Sequence, residues 1–167
     1  MIEIRRERPD DMAAVHRLNE AAFDTPAEAL LVDKLRDACA DHLSLVAVAD
    51  GAVVGHILFT PAVLGEARGM GLAPMAVLPG RQREGIGSRL VAHGLESLRA
   101  ERCPFVIVLG HPEYYPRFGF ERASAHRIAC QWEGVPDEAF MILAWDEDAL
   151  PADGGVARYR DEFDEAM

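Results

Sequence analysis

Cysteine is scarce and scattered in this chain. Only three occur in 167 residues, Cys39, Cys103 and Cys130, with no Cys-x-x-Cys among them. An odd, dispersed set argues against a disulfide framework or a zinc site, and the thiols read as small buried or half-buried side chains. The six histidines (His16, His42, His56, His93, His111 and His126) form no ligand pair at helical spacing, so no metal is expected. No apolar run comes near the ~20 residues that a membrane-spanning helix needs. Met1 leads straight into the alternating Ile2-Glu3-Ile4-Arg5-Arg6 rather than into a basic segment and an apolar core, so no signal peptide is expected. The reading is a cytoplasmic protein with no membrane partner. Positive charge is also short, with 17 Lys and Arg against 28 Asp and Glu, a net charge of −11. That balance argues against nucleic-acid binding, which depends on neutralising phosphates. An acidic surface attracts a cationic acceptor such as an amine, besides keeping the protein in solution.

What is present is globular. Half of the residues are hydrophobic (50%) and 27% are charged, and Gly and Pro are spread without a linker, so residues 1–167 are expected to form a single domain with its own core. Ile2 to Arg5 reads as a short strand. Pro9-Asp10-Asp11 starts a helix whose apolar face is Met12, Val15, Leu18 and Ala22, and Thr25-Pro26-Ala27-Glu28 is a capping pattern that starts a second. Leu43–Val48 and Ala52–Leu64 are strands joined at Asp50-Gly51, and Leu72–Leu78 is a third, ended by Pro79-Gly80. A helix from the Gly85 region to about Arg102 carries Ile86, Leu90, Val91, Leu95 and Leu98 on one face. Phe105–Leu109 is a buried strand, Glu113–Phe118 a single helical turn, and Ala139–Trp145 the last clear strand. Asp146–Met167 is amphipathic at best. This order is α/β of the mixed α+β kind and does not alternate as a doubly wound fold does.

The most specific stretch is Gln82-Arg83-Glu84-Gly85-Ile86-Gly87, where a strand gives way to a helix. The onset of a helix has unpaired N–H groups and a positive dipole end, and glycines let backbone approach a ligand closely. Together they make a cradle for a pyrophosphate. A Walker A loop needs Lys where Ser88-Arg89 follows Gly87, and a dinucleotide fingerprint needs a third glycine where Leu90 stands.

This stretch resembles the GNAT superfamily of N-acetyltransferases, which carries Gln/Arg-x-x-Gly-x-Gly/Ala after its fourth strand. The family also places a Tyr four residues before a late Gly-Phe, and Tyr115-Pro116-Arg117-Phe118-Gly119-Phe120 fits, about thirty residues further on. The run from Gly110 to Phe120 is similar to the YhbS-like bacterial branch. The resemblance implies a mixed, mostly antiparallel sheet of about six or seven strands with helices on both faces. It implies acetyl-coenzyme A as co-substrate and acetyl transfer to a primary amine of a small molecule or peptide. Homodimers are common in the family, though no residue here marks an interface. Backbone groups of Met75, Ala76 and Val77 are implied to meet the pantetheine arm, and Gln82, Arg83, Glu84, Gly85, Ile86, Gly87 and Ser88 to hold the pyrophosphate. Tyr115 is implied as the general acid for the leaving thiolate. The ordinary pKa values, roughly 10 for a phenol and about 8.5 for a thiol, read as letting that proton pass downhill. A register slip of one residue puts Tyr114 there instead. The Asn that many relatives carry after the fifth strand is absent, since Gly110-His111-Pro112 is too short for a helix. For the base, Glu28 is the named candidate, with His56 and His111 beside it. Trp132 reads as packing or as a surface on which a ligand stacks. The alternative is a non-catalytic acyl-coenzyme A sensor on the same fold.

Overall fold

In the computed structural model, which describes residues 1–166, each stretch of alternating or continuous apolar residues finds a place in one sheet. The elements are β1 (Ile2–Arg6), α1 (Met12–Phe23), α2 (Ala27–Ala38), β2 (Leu43–Ala49), β3 (Ala52–Leu64) and β4 (Ala67–Val77). They continue with α3 (Ile86–Ala100), β5 (Phe105–Leu109), β6 (Glu121–Arg122), β7 (Ile128–Cys130), β8 (Phe140–Ala144) and β9 (Gly155–Arg158). The sheet runs β1-β2-β3-β4-β5-β8-β6, and β9 lies against the end of β3 with β7 on its other side. Its pairings are antiparallel except β4 with β5 and β7 with β9. No helix among the described residues is long and apolar enough to cross a membrane.

The period of two along the strands sorts the core into two faces. Ile57, Phe59, Leu72, Val106 and Val108 meet the apolar stripe of α3: Ile86, Leu90, Val91, Leu95 and Leu98. On the opposite face Val46, Leu58, Phe105 and Ile107 meet Val15 of α1 and Leu31, Val32 and Leu35 of α2, together with Tyr159 and Phe163 from the C-terminal segment. Met12, expected on the buried face of α1, is instead 38% exposed. It starts the helix, before the first full turn reaches the sheet. Strand β4 begins five residues earlier than Leu72. Its early glycines do not break the strand: a Cβ on Gly69 would fall 2.4 Å from the Phe105 carbonyl oxygen, so this glycine is what lets β5 approach. The acidic tail, amphipathic at best by sequence, supplies β9; Met167 lies outside the described residues.

The middle of the sheet seals several polar side chains, His56, Thr60 and Asn19 among them. His56 on β3 is wholly buried, with Nε2 at 2.9 Å from Ser44 Oγ and Nδ1 at 3.4 Å from Asn19 Nδ2. Burial, reinforced by the charges of Arg36 and His42, drives its pKa down to about 3. The imidazole is neutral and structural, which removes it as a base.

Two outcomes follow from this packing. Gly94→Ala would gain ~1 kcal/mol of helix propensity. Its new Cβ would stand 2.3 Å from Phe59 Cε2. Overpacking costs ~1–3 kcal/mol, so urea unfolding should show net destabilisation. His56 binds its proton near pH 6.5 when unfolded and only near 3 when folded. Between those values the unfolded chain holds the extra proton, so stability falls as pH drops below 6.5 and is unaffected by this group above it. In His56→Gln the slope of unfolding free energy against pH between 6.5 and 5 should become shallower by up to about 1.4 kcal/mol per pH unit, as read from urea titrations.

Candidate active site

Strands β4 and β5 pair in parallel only at Met70–Val106, Gly71–Ile107 and Leu72–Val108. Beyond that they part, although β4 runs on to Val77. The local cause is an extra residue in β4. Against β3, Ile57 faces Met75 and Phe59 faces Leu72, so three steps on β4 match two on β3. A bulge of this kind bends its strand. Pro74 sits in it and has no N–H to give to a ladder. The edge of Met75, Ala76 and Val77 that turns towards β5 is therefore unpaired by any strand. Such an edge takes an extended ligand as an added strand does.

At the end of β4 the chain turns into α3. Gly85 adopts φ 82° and Arg83 φ 68°, both left-handed, and α3 starts at Ile86. The first helical N–H groups, on Ile86, Gly87 and Ser88, have no carbonyl one turn back. The Gln82 side chain donates to the Val77 carbonyl at 3.2 Å and ties this loop to the strand. A Cβ on Gly87 would lie 3.4 Å from Met75 Cε and 3.5 Å from the Tyr114 hydroxyl, so the space over this glycine is walled but open. The result is a cleft of about 710 Å³ lined by Met75, Val77, Arg81, Gln82, Arg83, Gly85, Ile86, Gly87, Ser88, His111, Tyr114 and Arg117. None of these is a carboxylate, in a protein of net charge −11. Of the residues expected here, Glu84 turns its carboxylate to Arg81 at 3.1 Å and does not line the cleft. Arg83 and Arg117 make no ion pair among the described residues.

All three tyrosines of the chain gather around the fork. Tyr114 belongs to the cleft: its hydroxyl is 2.9 Å from Ser88 Oγ, and the Arg117 guanidinium lies 4.5 Å from its ring centre. Tyr115, the next residue, packs its ring into the core on the α3 side and is 6% exposed. Its ring packs edge-on to Tyr114 and Phe120 and presses on Gly110, where a Cβ would come within 2.4 Å of Tyr115 Cε2. The Tyr115 hydroxyl makes no hydrogen bond among the described residues. Burial, and then Tyr114, raise its pKa above the ordinary phenol value. Tyr159, just after β9, reaches the fork from the opposite face of the sheet. It donates to the Leu72 carbonyl at 3.1 Å and accepts from the Leu109 N–H at 3.2 Å. Tyr115 is close enough to push the pKa of Tyr159 up, after burial, which is the larger cause.

The remaining expectations separate. Glu28 is not brought to the cleft: its carboxylate accepts from Thr25 Oγ1 at 3.1 Å, while Thr25 Oγ1 accepts from the Ala27 N–H, so both serve the start of α2. His111 lines the cleft, and its carbonyl receives the N–H groups of Tyr114 and Tyr115. Trp132 stacks on Tyr159 with ring centres 5.7 Å apart and donates to Asp164 at 2.9 Å, which makes it packing. Arg117 and Tyr159 were not anticipated. A signal for Arg117 lay two residues past Tyr115 in the same motif. Tyr159 had only the weak alternation of Val156 to Tyr159.

Known proteins share this sequence and fold. The sequence model for the acetyltransferase (GNAT) domain matches residues 3–123. The chain is 38% identical over 163 residues to the uncharacterised N-acetyltransferase YhbS of Escherichia coli K12, covering 96% of this chain and 97% of that one. It is 44% identical over 134 residues to the uncharacterised N-acetyltransferase YjhQ of the same organism, covering 77% and 74%. Among solved structures it is similar to E. coli YhbS in complex with CoA, with a TM-score of 0.90, 36% identity and coverage of 98% of this chain and 92% of that one. It is also similar to a GNAT acetyltransferase from Brucella melitensis in complex with acetyl-CoA, with a TM-score of 0.82, 39% identity and 98% of both chains covered. A chain with this fork, this helix onset and these relatives belongs to the GNAT family of acetyltransferases.

Proposed function

We propose that this acetyltransferase moves the acetyl group of acetyl-coenzyme A directly to a primary amine of a small molecule or peptide. The observation that carries the reading is the conjunction of an anion-binding helix onset, a strand fork beside it, and a phenol with an uncommitted hydroxyl pressed against the end of β5. Acetyl-coenzyme A supplies a thioester, whose carbon an amine attacks and whose thiolate leaves.

The roles of the chain follow from placement. The N–H groups of Ile86, Gly87 and Ser88 and the guanidinium groups of Arg83 and Arg117 hold the diphosphate. The free edge of Met75, Ala76 and Val77 holds the pantetheine arm, and an N–H from that edge meets the oxyanion that forms during attack. The C–N bond forms, the C–S bond breaks, and Tyr115 donates to the sulfur as its charge grows. On ordinary values a full transfer of the phenol proton to a thiolate is uphill by about 1.5 pKa units, the opposite of the sign expected from the sequence. Burial of Tyr115 steepens it. The role of Tyr115 is therefore hydrogen-bond donation in the transition state, with the net proton drawn from the ammonium that the attacking amine becomes. His56 is sealed away from the cleft, so that amine sheds its first proton to water or to His111, whose imidazole belongs to a residue lining the cleft.

Three variants test these roles. Tyr115→Phe should lower kcat by roughly 100-fold with coenzyme A affinity kept, as measured with an accepted amine; full activity would remove Tyr115 from the chemistry. Gly87→Trp should abolish coenzyme A binding in calorimetry by filling the space over the helix onset, and unchanged affinity would reject the cradle. Glu28→Gln should leave kcat within about twofold, because a lost general base would cost 100-fold or more.

A further inference from the structure

Tyr159 is committed to no role by the reading above, yet its hydroxyl stands where β4 and β5 part. In a regular parallel pair, the Leu109 N–H would bond directly to a carbonyl of β4. The Tyr159 phenol bridges that same donor and the Leu72 carbonyl: Leu109 N–H donates to Tyr159 Oη at 3.2 Å, and Tyr159 O–H donates to the Leu72 carbonyl at 3.1 Å. Leu72 and Val108 are the last paired residues, and Leu109 is the last residue of β5. One oxygen atom thus links the two strands by two bonds in series, at the last rung before they part.

The ring is fixed from all sides. Trp132 stacks on it, Phe163 lies 4.8 Å away, and the Tyr159 N–H donates to Gln131 Oε1 at 2.6 Å. Gly71 is the counterpart on β4. A Cβ there would fall 2.6 Å from Tyr159 Cε2, so the glycine admits the ring. The hydroxyl proton and its accepting lone pair are both used within the fork. Tyr159 is therefore not free to act as an acid, whereas Tyr115, arriving from the α3 face, is.

We propose that Tyr159 is a positioning residue that sets the width of the β4–β5 fork and so the seat of the pantetheine arm. This rests on the proposed path of that arm through the fork. It makes the C-terminal segment part of the cofactor site, although that segment does not line the phosphate cleft.

The test separates the two halves of the ligand. Tyr159→Phe keeps the stacked ring and removes the bridge. Its affinity for acetyl-coenzyme A should fall about tenfold, while its affinity for adenosine 3′-phosphate 5′-diphosphate, which lacks the pantetheine arm, stays within about twofold of wild type. The Leu109 amide should lose protection from hydrogen exchange while that of Ile107 keeps it. If Tyr159→Phe shows no cooperative melt, Gln131→Ala should give the same contrast at about threefold, since it frees the backbone beneath the phenol. Loss of affinity for both ligands alike would show a merely structural side chain and overturn the inference, as would no loss for either. Wild-type protein that binds neither ligand would contradict the phosphate cradle itself, and the inference with it.

Discussion

The separation of β4 from β5 after Leu72 and Val108 is the constraint on which the site depends. A sheet satisfies its backbone groups by pairing, and an interior strand with an unpaired edge is costly unless something else meets its donors. Here an extra residue in β4, with Pro74 inside it, turns the strand away, and the phenol of Tyr159 secures the point of departure. Every element of the proposed chemistry is referred to this opening. The helix onset of α3 lies at the end of one prong, and Gly110, on which Tyr115 packs, lies at the end of the other.

The three tyrosines divide the work by what their hydroxyls already do. That of Tyr114 is bonded to Ser88 at the cradle, and that of Tyr159 is bonded on both sides in the fork. That of Tyr115 makes no hydrogen bond among the described residues. The same principle sorts the charges. Across a strongly acidic chain, the cleft at the onset of α3 is lined by Arg81, Arg83 and Arg117 and by no carboxylate. Glu84, although it sits inside the loop, is turned onto Arg81. An anionic ligand thus meets a local field opposite in sign to that of the whole protein.

Much of this was legible in the sequence because it is local. The strand, Gly85 and the apolar stripe from Ile86 to Leu98 lie within one continuous stretch, and the requirement for left-handed backbone at Gly85 follows from the turn itself. The succession of β1 to β5 and β8 along the chain and, Met12 apart, the faces of the helices followed from periodicity, whereas the short β6, β7 and β9 did not. What was not legible depended on distant partners. Gly69 and Gly71 look like breakers until Phe105 and Tyr159 are placed over them. Tyr159 meets Leu109 and Leu72 across 50 and 87 residues of chain, and a four-residue strand in an acidic tail gives no signal of that. Glu28 is a candidate base in the sequence because a helix-start carboxylate and a catalytic one have the same composition; the fold puts it at the start of α2, bonded to Thr25 and outside the lining of the cleft.

The central claim is spatial: a ligand whose diphosphate rests on the onset of α3 sends its arm through the fork and ends beside Tyr115. A crystal structure of the protein with coenzyme A tests this directly. The account predicts the diphosphate on the N–H groups of Ile86 to Ser88 and the sulfur within hydrogen-bonding reach, roughly 3.5 Å, of the Tyr115 hydroxyl. A sulfur nearest to Tyr114, or an arm that lies outside the fork, would contradict it.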